Sequence, residues 1–119
     1  MSIYISGPMS GYPEYNFPAF HLSAANLRAK GFEVISPAEI ELPQYPKGYQ
    51  PIDEADKKAM WVAFMKADII ELMKANIVAV LPGWEKSKGA YIEVELATKL
   101  GMTIVSAETL LPVKRPCGD

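Results

Sequence analysis

Cysteine and histidine are almost absent from this chain of 119 residues, which holds one of each, Cys117 and His21. A disulfide within the chain is thereby excluded, and no Cys/His set with metal-ligand spacing can be written. Cys117 stands in a Pro- and Gly-containing tail and reads as an incidental thiol, while His21, early in an expected helix, has no neighbour that would give it acid–base or metal work. Long apolar runs are missing too. The longest uninterrupted one, residues 59–65, and the run 77–81 are both far too short to span a bilayer, and no basic segment precedes the apolar alternation that opens at Ile3. A soluble cytoplasmic protein with no membrane partner is the expectation. Nor is there an excess of charge of one sign. Twelve basic and fourteen acidic residues give a net charge of −2 and are spread along the chain, so no electropositive block exists to displace counterions from a phosphate backbone. Nucleic acid is not an expected partner.

Hydrophobic residues make up 50% of the chain, enough to build one core and too little length for a second domain. Residues 1–112 are therefore read as a single domain and 113–119 as a tail. Ser2-Ile3-Tyr4-Ile5-Ser6, β-branched and aromatic, reads as a strand stopped by Gly7-Pro8. Residues 17–30 form an expected helix closed by Gly31, and residues 32–36 a second strand. Between residues 37 and 51 four prolines and two tyrosines destroy any period, and a loop of that length is a candidate flap over an active site. Residues 53–74 make a long amphipathic helix with an acidic opening turn, with a bend or restart expected near Ala67-Asp68. The apolar run 77–81 has the character of a strand buried on both faces of a parallel sheet. Residues 88–100 read as a further helix and 102–105 as a last strand. The β-α-β-α-β-α-β order predicts a single-domain α/β fold, an open parallel sheet of flavodoxin-like or Rossmann-like type in a three-layer sandwich.

Ligands of such sheets bind beyond the carboxyl ends of the strands, which directs attention to residues 7–13, the 37–51 loop and residues 82–89. Gly7, Pro8 and Met9 head the first of these as candidate substrate contacts. The Gly7-x-x-x-Gly11 spacing matches neither the dinucleotide fingerprint nor the phosphate-cradling loop of nucleoside triphosphatases. In the third loop Ser87 is placed to N-cap a helix with Gly89 in its first turn, so that a hydroxyl and amide donors face the same crevice. Trp84 beside Gly83 reads equally well as a base-stacking platform and as core. Glu93 has Ala90, Leu96 and Ala97 as helical neighbours and so lies on an apolar stripe, whereas Glu95 has Thr98 and Lys99 and lies on a solvated face. A buried carboxylate costs several kcal/mol unless it is hydrogen-bonded or functional, which makes Glu93 the candidate site residue. Asp68 interrupts a stripe of Phe64, Met65 and Leu72 in the same way; it either joins Glu93 or N-caps a second helical segment. Two carboxylates near the carboxyl edge of one sheet meet the demands of glycosidic cleavage, one for the anomeric carbon and one for the proton.

The segment Leu81-Pro82-Gly83-Trp84-Glu85-Lys86-Ser87-Lys88-Gly89-Ala90-Tyr91-Ile92-Glu93, together with Ile3-Tyr4-Ile5-Ser6-Gly7-Pro8, resembles the nucleoside 2-deoxyribosyltransferase superfamily, and is also similar to the deoxynucleoside 5′-monophosphate N-glycosidases. The resemblance runs along nearly the whole chain, and its most specific element is the Ser-x-Gly-x-x-x-Glu spacing after an apolar strand. It implies a glutamate nucleophile at Glu93, a supporting aspartate at Asp68, a first-strand tyrosine at Tyr4 with Gly7 after it, and a contact from Ser87 to the 5′ end of the substrate. It implies cleavage or transfer at the N-glycosidic bond of a 2′-deoxynucleoside or its monophosphate, with no metal or organic cofactor. A homodimer or larger homo-oligomer that shares its sites is implied as well. Pro8 stands where the monophosphate glycosidases carry a serine, and no arginine follows it in Met9-Ser10-Gly11, which leaves the need for a 5′-phosphate open. The alternative of another class is a non-catalytic sensor or sponge that holds a nucleotide-derived ligand in the same crevice.

Overall fold

Strand β1 (Ser2–Ser6) alternates Ile3 and Ile5 with Tyr4 and Ser6, and all four are fully buried, so both faces of this strand lie inside the molecule. A computed structural model describes residues 1–113; apart from Val113, the tail assigned to residues 113–119, with Cys117, lies outside the described residues. Along it come α1 (Phe17–Ala29), β2 (Glu33–Ile35), α2 (Glu54–Leu72), β3 (Ile77–Val80), α3 (Lys88–Lys99) and β4 (Thr103–Ser106). The strands form one parallel sheet in the order β2-β1-β3-β4. Tyr4 stands opposite Ile35 and Val78, and Ser6 opposite Val80.

The period-2 alternation divides the core in two. Ile3, Ile5, Ala79, Leu81 and Val105 pack against Phe20, Ala24 and Leu27 of α1. On the other face Tyr4, Val78, Val80 and Ile104 pack against Leu72 of α2 and against Ala90, Val94 and Ala97 of α3. This is the expected α/β three-layer sandwich with an open parallel sheet. Its order reverses direction after β2, which places a topological switch point, and the crevice such a point creates, at the carboxyl ends of β1 and β3.

Local chemistry sets the element ends. Asp53 caps α2 by accepting from the Asp56 amide at 2.8 Å, and Ser87 caps α3 by accepting from the Ala90 amide at 3.3 Å, as its spacing predicted. The restart expected as one possibility near Ala67-Asp68 does not occur. Helix α2 is continuous through this point, where Met65, Asp68 and Leu72 share one buried face that packing holds in register, so Asp68 caps nothing. Residues 37–51 fold back on the start of α2. The ring of Tyr45 lies 6.2 Å from that of Phe64, and the Tyr49 hydroxyl donates to Asp56 Oδ2 at 2.6 Å. Past β4 the chain stays attached, the Val113 amide donating to the Ile104 carbonyl at 3.2 Å. Among the described residues no helix is long and apolar enough to cross a membrane.

Candidate active site

Strand β1 presents two hydroxyls to one carboxylate. The Tyr4 hydroxyl donates to Glu93 Oε2 at 2.8 Å and the Ser6 hydroxyl donates to Glu93 Oε1 at 2.7 Å, both inside the core. Tyr4 and Ser6 are two residues apart and so point to the same face, where α3 lays Glu93 across the end of the strand. Glu93 is 4% exposed and Asp68, reaching in from α2, is 8% exposed. Neither forms an ion pair among the described residues, whose salt bridges are Arg28–Glu39 and Glu71–Lys74 at the surface.

Burial without a cation sets the electrostatics. Glu93 is pushed up to about 7 by burial, against the opposing pull of the bonds from Ser6 and Tyr4. Asp68 is pushed further, to about 8, by burial and then by the negative charge of Glu93. Its Oδ1 is buried with no hydrogen-bond partner among the described residues. Tyr4 is held well above its ordinary value by burial and by the charges of Glu93 and Asp68, so it remains a donor. Both carboxyls are thus raised, and hydrogen bonding distinguishes them: two hydroxyl donors favour the ionised form of Glu93, while the unpartnered Oδ1 of Asp68 favours its protonated form.

The other residues singled out from sequence line the same edge of the sheet or pack beneath it. Gly7 lies against Leu81, where an added Cβ would sit 2.8 Å from the Leu81 Cβ, so close strand-to-loop packing already demands glycine. Pro8 is buried and Met9 half-buried; the Pro8 carbonyl accepts from Asn16 Nδ2 at 2.9 Å, which ties the first loop to the start of α1. Gly89 lets α3 approach α2, since a Cβ there would meet Met65 Sδ at 3.0 Å. Trp84 is 7% exposed, packs in the α3-side core and stacks on Tyr91 with ring centres 6.3 Å apart, which gives its indole a structural role whether or not it meets a ligand. Glu95, in contrast to Glu93, is partly exposed. His21 is exposed and meets the edge of Phe17.

One residue of the cluster is invisible to the motif reading, namely Ser6. A polar residue two positions after Tyr4 on a doubly buried strand is the signal that could have found it. Two open depressions, of about 320 and 380 Å³, flank the loop after β3, the first lined by Tyr12, Asn16, Ala19, Leu81, Pro82 and Gly83. Neither is lined by Glu93 or Asp68, which lie beneath packed side chains. Among the described residues no three His, Cys, Asp or Glu side chains gather as a metal site.

The sheet order and the helices on both its faces define an open-sheet α/β domain. Over 89% of its length the chain superposes on 71% of a 2-deoxyribosyltransferase from Bacillus psychrosaccharolyticus, with a TM-score of 0.64 and 20% identity. It also superposes, over 89% of its length, on 62% of a conserved protein from Enterococcus faecalis V583, with a TM-score of 0.56 and 17% identity. At these identities the likeness is one of fold. The chain belongs to the family described as Domain of unknown function (DUF4406), which matches residues 1–106. No curated protein matches the sequence.

Proposed function

We propose that this protein cleaves or transfers at the N-glycosidic bond of a 2′-deoxynucleoside or deoxynucleoside monophosphate, with Glu93 as nucleophile and Asp68 as proton donor. The observation that carries this reading is a buried carboxylate held by Tyr4 and Ser6, with a second buried carboxyl, Asp68, whose Oδ1 has no hydrogen-bond partner among the described residues. The shared fold with a 2-deoxyribosyltransferase supports the same chemistry. A Glu93 oxygen attacks C1′ of the sugar, the C1′–N bond breaks, and its electron pair leaves with the base, which takes the proton of Asp68. The Asp68 carboxylate so formed then accepts a proton from water, or from an incoming base, as that acceptor attacks C1′ and frees Glu93. This requires no cofactor. Gly7, Pro8, Met9, Ser87, Gly89 and Trp84 are assigned to the walls of the substrate site.

A homodimer or larger assembly belongs to this reading. Ile70 on α2 and Met73, the residue just past the end of that helix, are 61% and 46% exposed and supply apolar surface for a partner copy, which light scattering at micromolar concentration tests. The reaction itself is tested by incubating the protein with a panel of deoxynucleosides and their monophosphates, with and without an acceptor base, and following free and exchanged base by chromatography. Release or exchange is expected. Binding of several panel members with no conversion of any would instead make the protein a non-catalytic nucleotide-ligand holder.

A further inference from the structure

A glutamate side chain ends in a torsion with a broad, roughly two-fold minimum, so a single donor leaves the plane of its carboxylate loosely set. Here each oxygen has its own donor, and both donors come from one strand. Ser6 is fully buried, its carbonyl accepts from the Leu81 amide at 2.9 Å, and it stands in register with Val80. Gly7 beside it is wedged against Leu81. The hydroxyl of Ser6 is thus mounted on backbone tied to the neighbouring strand, 87 residues away in sequence from the carboxylate it serves.

We propose that Ser6 is a positioning residue which, with Tyr4, clamps the plane of the Glu93 carboxylate and holds it as the ionised member of its pair with Asp68. The inference rests on the reading of Glu93 as nucleophile and adds to it the group that makes the nucleophile available. The titratable groups that bear on Glu93 are Tyr4 from β1 and Asp68 from α2, with Glu71 of α2 acting on Tyr4. None brings a positive charge. Only hydroxyl donors offset the burial of the carboxylate, and Ser6 supplies one of the two. Its loss leaves Oε1 buried without a partner, which favours the protonated carboxyl.

The test is a titration of the full chain carrying ¹³C at its glutamate side-chain carboxyls, followed by NMR in the wild type, Ser6→Ala and Ser6→Cys. Ser6→Ala is expected to raise the Glu93 midpoint by about one pH unit or more, and Ser6→Cys, with its weaker donor, by less. The cysteine variant also keeps a side chain in the site should alanine fail to fold. In turnover, the acid limb of kcat/KM should move with the midpoint, so that the loss in Ser6→Ala is about tenfold larger at pH 6 than at pH 9. A Glu93 midpoint unchanged or lowered in the folded variants overturns the role of Ser6 even if the wild type turns over. A raised midpoint with no turnover in any protein upholds the clamp and rejects the enzymatic reading instead.

Discussion

The two faces of the sheet are built from the same four strands and serve opposite ends. Toward α1 the inward residues are Ile3, Ile5, Ala79, Leu81 and Val105, meeting Phe20, Ala24 and Leu27, an unbroken apolar contact. Toward α2 and α3, Tyr4 and Ser6 replace isoleucine at alternate positions of the same strand, and two carboxylates enter the core above them. One face contributes stability with nothing to titrate. The other surrenders some of it to hold charge where water is excluded, which is how perturbed carboxyls come to mark a functional site.

Breaking each face in turn should give different signatures. The largest effect is expected from Asp68→Asn on the polar face. Turnover of substrates whose base needs protonation to leave should fall by about 10²- to 10⁴-fold, while activated substrates that depart unaided lose far less. Steady-state rates on the two kinds of substrate decide it, and equal losses would make Asp68 a positioning group. The same substitution carries a sign for stability. Asp68 and Glu93 both bind a proton more tightly folded than unfolded, so the native state keeps its full stability below their ordinary values of 3.8 and 4.5 and loses it as pH rises through about 7 and 8. Denaturant unfolding of the wild type should therefore show stability falling from roughly pH 4 to roughly pH 8. Asp68→Asn should flatten the trend and be the more stable protein at the alkaline end.

Next in size is the apolar face. Phe20→Ala removes a fully buried ring from the α1 side and should cost about 3–5 kcal/mol in denaturant unfolding, with the shape of any pH–rate profile unaltered. A shift of that profile would mean that the two faces are not independent. The smallest effect is assigned to Ser87→Ala, which removes a cap hydrogen bond of 3.3 Å and should cost about 1 kcal/mol or less. A much larger loss of substrate affinity than of stability in this variant would place Ser87 against the ligand.

Much of this division is legible in the sequence itself. The unbroken run 77–81 identifies an inner strand, because a strand covered on both sides has no room for polar alternation. The contrast of Glu93 with Glu95 follows from helical neighbours three and four residues away. Asp68 is different. The residues around it suit a cap or a continuous helix equally well, and the choice is made by the packing of Met65 and Leu72, which local sequence does not contain. Ser6 escapes for a related reason, since a hydrogen bond across 87 residues leaves no local pattern. The 37–51 segment reads correctly as irregular, but its seat on α2 depends on Tyr45 finding Phe64 and Tyr49 finding Asp56.

The central claim is that Glu93 forms a covalent bond to the sugar, and the most direct measurement of it is a trapping experiment. The protein is incubated with a 2′-fluorinated deoxynucleoside analogue, whose electron-withdrawing substituent slows breakdown of a glycosyl intermediate, and then subjected to mass spectrometry of the intact chain and its peptides. The account predicts an adduct of one fluorinated deoxyribosyl unit on the peptide containing Glu93, absent from Glu93→Ala. An adduct on any other residue, or turnover that survives Glu93→Ala, would contradict it.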